Sequence, residues 1–188
     1  MTKFTVHSPD TAPDAARPLL EGAQKAFGGM IPNLYGVMAE SPALLEAYQQ
    51  LGAIFTRTSL EPAEQHIVWI TVNFENDCHY CMAAHSAVAK HAGLPDADID
   101  ALRTGAPLDD PRHEALRQFA TVMVRKRGWP DPADVESLMA AGYNNATILD
   151  VILGIGMKTL SNYTNHVADT PVDEAFAKFA WSEQDKIR

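Results

Sequence analysis

The sequence from Asn73 to Ser86 reads NFENDCHYCMAAHS and contains both cysteines of the protein, Cys78 and Cys81. Asp77 is a favourable N-cap, and the run from Cys78 to Ala92 is compatible with a helix. We therefore predict that both cysteines lie in the first turn of a helix. The unpaired backbone N–H groups and the positive end of the helix dipole in that turn favour a thiolate over a thiol.

The spacing of the histidine that follows adds to this interpretation. Cys81 and His85 are four residues apart, so a helix places the imidazole beside the second sulfur. Two thiols able to close a short disulfide, one with a base beside it, are typical of a redox centre. Two alternatives stay open: a zinc site completed by His79, His85 or His166, and two inert buried cysteines.

The composition is that of a globular protein. The 188 residues carry 46% hydrophobic and 21% charged side chains, which is ordinary for one domain with a real core. The formal net charge of −9 argues against nucleic acid and anionic membranes as partners. The sequence has no long apolar run and no apolar region near its start, so we expect a cytoplasmic protein. In that compartment two cysteines are more often catalytic, redox-active or metal-binding than a structural disulfide.

The helix signals recur along the chain and predict an all-α fold. Residues 1–16 contain prolines without periodicity and are expected to form an extended N-terminal arm. Residues 17–188 then form a single helical domain of about eight to ten helices, most with a capping start and a glycine stop. The apolar segment Ala146–Leu160 is expected to be the central helix, with Gly154 and Gly156 permitting close approach of another backbone.

The chemistry available to two such thiols is peroxide reduction. A thiolate attacks the O–O bond and becomes a sulfenic acid, which a second thiol resolves as a disulfide. Cys78 and Cys81 supply the sulfurs, and His85 is placed to deprotonate Cys81. Glu75, three residues before Cys78, is either a carboxylate that orients an imidazole or a solvated capping residue.

At these residues the sequence resembles the alkylhydroperoxidase D core motif, Cys-x-x-Cys-x-x-x-His, of the carboxymuconolactone decarboxylase-like superfamily. The resemblance extends over about residues 40–120 and implies an all-helical fold that forms homo-oligomers, commonly trimers or hexamers. By position it implies that Cys81 becomes the sulfenic acid, that Cys78 is its disulfide partner and proton donor, and that His85 belongs to the proton relay. His79 occupies a position that is histidine or acidic in relatives.

One position departs from the family pattern. The family's relay glutamate lies twelve residues before the first cysteine, and that position here is His66. Either Glu75 substitutes for it, or His66 takes part in a different relay, or the relay is shortened.

Three functional hypotheses follow. The first is a thiol peroxidase that acts on a peroxide, needs no cofactor or metal, and is recycled by a thiol or disulfide reductant. The second is a cysteine-independent decarboxylase of the same superfamily that uses His85 or His166 as acid and base. The third is a metal-binding or purely structural helical protein. His166 is interpreted either as a pocket residue or as a histidine that satisfies a buried hydrogen bond.

Overall fold

Helices account for the regular structure of the computed structural model, which describes residues 4–187. In that range the chain forms nine α-helices and three short 3₁₀-helices, at Lys90–Ala92, Glu174–Phe179 and Glu183–Asp185. The α-helices are α1 Arg17–Ala26, α2 Asn33–Met38, α3 Pro42–Phe55, α4 Pro62–Glu75, α5 His79–Ala89, α6 Asp96–Thr104, α7 Pro111–Arg125, α8 Pro132–Ala140 and α9 Asn145–Ala168. The predicted all-α fold of eight to ten helices is confirmed.

The predicted N-terminal arm is only partly within the described residues. Its first three residues, 1–3, lie outside them, as does residue 188 at the other end. The rest of the arm lies on the helices: the backbone N–H of His7 donates to the carbonyl of Gly36 at 3.1 Å, and Ala12 and Ala16 are buried.

The helix starts follow from local capping chemistry. The side chain of Ser41 accepts a hydrogen bond from the backbone N–H of Leu44 in the first turn of α3. At the start of α4, Glu61 and Glu64 form a reciprocal capping box, and Asn144 caps α9. These caps satisfy backbone donors that otherwise have no partner in the first turn.

Helix α4 is the centre of the core. Its side chains are buried almost continuously from Glu64 to Phe74, and it packs against α5, α6, α7 and α9. The helix predicted to be central, at residues 146–160, also packs widely, against α2, α3, α4, α5 and α7, but it is less completely buried than α4. That segment belongs to α9, which has solvent on one side, where Leu149 and Ile152 are exposed. Its sequence is apolar around most of its circumference, so hydrophobicity alone did not identify the buried face.

Close packing between α9 and its neighbours depends on one glycine. A Cβ atom at Gly154 would lie 2.8 Å from the ring of Phe55 on α3 and 3.0 Å from Val68 on α4. The predicted packing role of Gly154 is confirmed, whereas a Cβ at Gly156 would meet nothing within 4 Å. Gly154 thus brings the following turns of α9 close to α4 and α5.

The C-terminal segment is fastened to the helices by polar contacts. The Tyr80 hydroxyl on α5 donates to Asp173 at 2.5 Å, and the same carboxylate accepts from the backbone N–H of Asn33 at 3.0 Å. Farther along, the indole N–H of Trp181 donates to the carbonyl of Arg103 at 2.7 Å. These contacts hold the 3₁₀-helix at 174–179 against α5.

Within residues 4–187, no single helix is both long enough and apolar enough to cross a membrane. Helices α8 and α9 reach that length and composition only together, as a pair bent by 113°.

Candidate active site

The junction between α4 and α5 sets the position of both sulfurs. Asp77 was predicted to cap α5, but it adopts a left-handed backbone conformation with φ of 53°, and Cys78 is the N-cap. The carboxylate of Asp77 instead forms an ion pair with Lys186 at 2.6 Å. Helix α5 therefore begins one residue later than predicted, at His79. Cys81 still lies in its first turn, as the sequence indicated.

Two donors from α9 approach the sulfur of Cys81. The side-chain amide of Asn165 donates to Cys81 Sγ at 3.2 Å, and the ammonium of Lys158 donates to it at 3.5 Å. The same amide lies 3.7 Å from Cys78 Sγ. Both cysteines are buried and reduced. Charged and amide donors at these distances stabilise a thiolate.

Lys158 is the buried charge of the site. Its side chain has no exposed surface, and its Nζ lies 3.0 Å from His85 Nε2. Among residues 4–187, no carboxylate lies within ion-pairing distance of this ammonium. A buried charge without an opposite charge is strongly unfavourable, so the sulfur of Cys81 is its natural counter-charge.

The two cysteines titrate in opposite directions. Burial raises the pKa of Cys81, but the hydrogen bond from Cys78 and the charge of Lys158 outweigh it and lower that pKa to about 5. The hydrogen bond that Cys78 donates to Cys81, together with burial, raises the pKa of Cys78. At neutral pH the site therefore holds a Cys81 thiolate and a Cys78 thiol.

His85 reaches the sulfur only through Lys158. Because the ammonium has no acceptor capacity, His85 Nε2 accepts from it, and the ring proton lies on Nδ1, which is buried without a partner. Burial and the charge of Lys158 lower the pKa of His85 well below its ordinary value, so the ring is neutral. The prediction that His85 deprotonates Cys81 directly is replaced by an arrangement in which Lys158 contacts both groups.

His66 lies beside His85 on the wall of the same site. The two ring centroids are 5.6 Å apart, and His66 packs edge-on against Trp69 at 5.3 Å. Burial and the charge of Lys158 lower the pKa of His66 to about 4. The residue at the position of the family's relay glutamate is thus a neutral imidazole near the site at neutral pH.

The two sulfurs border two separate cavities. Cys81 borders a mostly apolar cavity of about 350 Å³, whose wall includes Lys158, His66 and His85 and the side chains of Phe27, Tyr35, Tyr48, Trp69, Met157 and Phe176. Cys78 borders a polar cleft of about 430 Å³, whose wall includes Asn165 and the side chains of Asp77, His79, His166, Asp169 and Glu183.

The remaining predicted residues divide between the cleft and another surface. His79 and His166 are exposed and line the polar cleft beside Cys78. Glu75 is not brought to either sulfur, because its carboxylate binds Arg125 at 2.6 Å and lines another cleft with Tyr163. The expected role of Glu75 in orienting a site imidazole is therefore not supported, since no imidazole contacts it.

Lys158 is a site residue that was not predicted from the sequence. The buried residues of α9 follow helical spacing and include Val151, Gly154, Ser161 and Asn165, and Lys158 falls on the same face. The helical spacing of these residues could therefore have indicated that Lys158 is buried. Lysine side chains are usually exposed, so the sequence alone did not suggest this.

A cluster suited to metal binding does not occur in the described part of the chain. No group of three or more His, Cys, Asp and Glu side chains between residues 4 and 187 is arranged to hold a metal ion.

Residues 42–121 match the model of the carboxymuconolactone decarboxylase family. This segment contains both cysteines, His66 and His85, but neither Lys158 nor Asn165. None of the curated protein sequences matches the chain.

Solved structures share the whole fold. The alkylhydroperoxidase AhpD core, a peroxidase-related protein from Ralstonia eutropha JMP134, is 21% identical with a TM-score of 0.82, covering 93% of each chain. A peroxidase-related protein from Silicibacter sp. TM1040 is 24% identical with a TM-score of 0.74, covering 94% of this chain and 97% of the other. The debrominase Bmp8, as a cysteine-to-alanine variant in complex with 2,3,4-tribromopyrrole, is 17% identical with a TM-score of 0.78, covering 95% and 96%.

Proposed function

Because residues 42–121 match the carboxymuconolactone decarboxylase family model and the chain shares the fold of the alkylhydroperoxidase AhpD core, we propose that it reduces peroxides with a Cys78–Cys81 disulfide cycle. The observation that carries the proposal is the surroundings of Cys81. Its sulfur lies in the first turn of α5, receives hydrogen bonds from Lys158 and Asn165, and borders an apolar cavity. A stabilised thiolate beside a resolving thiol is what peroxide reduction requires.

The proposed cycle has three steps. The Cys81 thiolate attacks the terminal oxygen of the peroxide, the O–O bond breaks, and Cys81 becomes a sulfenic acid while the departing alkoxide takes up a proton. The Cys78 thiol then attacks the sulfenic sulfur, a disulfide forms, and water leaves. A thiol or disulfide reductant restores both thiols by exchange.

The shape of the site favours an organic peroxide. The cavity beside Cys81 is walled by aromatic rings, among them Phe27, Tyr35 and Trp69. Apolar walls gain free energy by burying an alkyl or aryl group, which hydrogen peroxide lacks. The reductant would approach from the polar cleft beside Cys78. Such a thiol cycle belongs in a reducing compartment, which is consistent with the expected cytoplasmic location.

We also propose a homo-oligomer, a trimer or hexamer, as the family resemblance implies. The support is the exposed side of α9, where Leu149, Ile152, Tyr163 and Val167 are unusually accessible for apolar and aromatic side chains. Light scattering on the purified protein should give a mass of three or six chains. A monomer at all concentrations would contradict this assembly.

Mass spectrometry of the thiols tests the catalytic proposal. One equivalent of an organic hydroperoxide should be consumed and convert both free thiols to a Cys78–Cys81 disulfide. Thiols that remain reduced would contradict the proposal. Alkylation of both cysteines should abolish turnover, whereas a decarboxylase acting through His85 or His166 would keep its activity. Stoichiometric zinc in the purified protein would support a metal site instead.

Reductive dehalogenation of an aromatic ring is a second candidate, favoured by the aromatic walls of the cavity beside Cys81 and by the fold shared with the debrominase Bmp8. The thiolate takes the halogen, the ring carbon takes a proton, and Cys78 displaces halide to give the disulfide. The proton that Cys78 releases balances the proton that the ring carbon takes up, so aryl bromide, thiolate and thiol become the debrominated ring, the disulfide and bromide ion. Bromide release from 2,3,4-tribromopyrrole by the reduced protein tests this reaction. If the reduced protein releases no bromide from an equimolar amount of this compound, dehalogenation of this compound is excluded.

A further inference from the structure

Lys158 is the only fully buried lysine among the described residues, and no acidic side chain pairs with it. It has no exposed surface, and its Nζ contacts Cys81 Sγ at 3.5 Å and His85 Nε2 at 3.0 Å. No carboxylate between residues 4 and 187 lies within ion-pairing distance of it, whereas Lys90, Lys126 and Lys186 all pair with aspartates. The ammonium is therefore compensated by something other than an acidic side chain.

The titratable groups around Lys158 come from four helices. They are Tyr35 on α2, Tyr48 on α3, His66 on α4, Cys81 and His85 on α5, and Cys78 at the N-cap of α5. Burial raises the pKa of both tyrosines, and the pKa values of both histidines are lowered, so these four groups are neutral at pH 7. Only the Cys81 thiolate supplies a negative charge.

That negative charge exists only in the reduced protein. When Cys81 joins Cys78 in a disulfide, the thiolate disappears and the site would keep a buried ammonium among neutral groups. An uncompensated buried charge is strongly unfavourable, and proteins relieve it by losing or gaining a proton.

We propose that Lys158 is the proton donor of the oxidation step and that it is a neutral amine whenever Cys78 and Cys81 form a disulfide. This inference rests on the proposed thiol cycle and assigns it a catalytic residue outside the family segment. The Cys81 thiolate attacks the peroxide, the O–O bond breaks, and the departing alkoxide takes a proton from the Lys158 ammonium. The Cys78 proton leaves with the sulfenic hydroxyl as water. Overall, ROOH, thiolate, thiol and ammonium become ROH, water, disulfide and amine.

This assignment determines how many protons the protein takes up when the Cys78–Cys81 disulfide is reduced by two electrons. Reduction of the disulfide returns one proton to Cys78 and one to Lys158, whereas a permanently charged Lys158 would leave one proton only. A reference dithiol with ordinary thiols releases two protons when it is oxidised. If Lys158 is a neutral amine in the disulfide form, the equilibrium between protein and dithiol is therefore independent of pH. If Lys158 stays charged, the ratio of reduced to oxidised protein rises about tenfold for each unit by which the pH is raised.

The test is to equilibrate the full-length protein with a reference dithiol between about pH 6 and about pH 7.5, above the Cys81 pKa and below that of ordinary thiols. The ratio of disulfide to dithiol protein is read by mass spectrometry, and ultraviolet thiolate absorbance reports the Cys81 ionisation. A pH-independent ratio with a thiolate in the reduced protein is expected. A tenfold change per pH unit, or a reduced Cys81 that is not ionised, would overturn the inference. Because no peroxide is used, a failure of the proposed peroxidase activity remains a separate result.

Substitution of Lys158 separates its charge from its proton. Arginine keeps the positive charge but is not deprotonated in proteins. Lys158→Arg should retain the thiolate, show the tenfold dependence per pH unit, and react with peroxide at least about 100-fold more slowly. Lys25→Arg, an exposed lysine on α1, is the matched control and should behave as the wild type. A Lys158→Arg protein that reacts at the wild-type rate would overturn the inference, and the wild-type equilibrium decides the matter if this variant fails to fold.

Discussion

Cys78 and Cys81 are one helical turn apart, yet they face two different surroundings. Cys81 borders an apolar cavity together with Lys158, His85 and His66, and Cys78 borders a polar cleft. The pKa of the first is lowered and that of the second is raised. In the proposed cycle the spacing of the two cysteines permits the disulfide, and the neighbouring helices determine which sulfur attacks and which one resolves.

Serine substitution of each cysteine should give the largest difference in peroxide consumption between Cys81 and Cys78. Cys81→Ser removes the attacking thiolate, and we expect peroxide consumption to fall at least about 1,000-fold. Cys78→Ser should still consume one equivalent of peroxide and then stop as a sulfenic acid, because the resolving thiol is missing. Single-turnover kinetics with a sulfenic acid trap measures both outcomes. Equal residual activity of the two variants would remove the distinction between attacking and resolving sulfur.

The pH dependence of alkylation should sharpen the same distinction. Cys81 in Cys78→Ser lacks the thiol that donates to it, but Lys158 and Asn165 still stabilise its thiolate. We expect it to be alkylated at pH 7 about 10- to 100-fold faster than Cys78 in Cys81→Ser. In the wild-type protein the reaction with peroxide should rise with pH and be half-maximal near pH 5, because the thiolate is the reactive form. A midpoint near the ordinary cysteine value would contradict the role given to Lys158.

The stability of the reduced protein should fall in acid for the same reason. Cys81 and His66 have folded-state pKa values below their ordinary values, about 5 and about 4. As pH falls from about 9 to about 5, the unfolded chain binds a proton at Cys81 that the folded chain does not, and His66 adds the same effect below about pH 6.5. Chemical denaturation of reduced protein should therefore give a lower free energy of unfolding at pH 5 than at pH 7.5. His66→Asn should remove part of this difference.

The sequence predicted the parts of the site that are local in the chain. The first-turn position of Cys81 followed from its place at the start of a helical run, and the side of α5 that carries His85 followed from the spacing of four residues. Glu75 was assigned to the site from the same spacing rule. It failed because the left-handed Asp77 turns the chain between α4 and α5, so helical register does not continue across the corner.

The parts that the sequence did not reveal come from packing between distant helices. Lys158 lies 77 residues from Cys81, and its contact with the sulfur depends on the close approach that Gly154 allows between α9 and α4. The two cavities likewise combine residues from several helices and the C-terminal segment. No local pattern carries that information, which is why the direct action of His85 on Cys81 was the natural but incomplete interpretation.

The polar cleft should affect reduction of the disulfide and leave oxidation unchanged. His166 and His79 line the cleft beside Cys78 but not the cavity beside Cys81. We expect His166→Ala to slow reduction by a dithiol a few-fold, since it removes one polar contact for the reductant, with no change in the oxidation rate. His91→Ala, at an exposed histidine away from this cleft, is the control. A slower oxidation step in His166→Ala would mean that the polar cleft and the apolar cavity do not act separately.

The smallest effect is expected at Glu75, which the sequence had placed among the catalytic residues. Its carboxylate pairs with Arg125 and faces neither sulfur; the Glu75 side chain is 7% exposed and the Arg125 side chain 65% exposed. Because the Arg125 guanidinium can turn to solvent, Glu75→Gln should lower the free energy of unfolding by only about 1 kcal/mol. Arg125→Gln should cost more, about 1–3 kcal/mol, because it leaves a shielded carboxylate without its partner, and the double variant should recover part of that loss. Both variants should keep the wild-type rates of oxidation and reduction. A clear loss of rate in Glu75→Gln alone would return this carboxylate to the proton relay, and Lys158 would then not be sufficient as the proton donor.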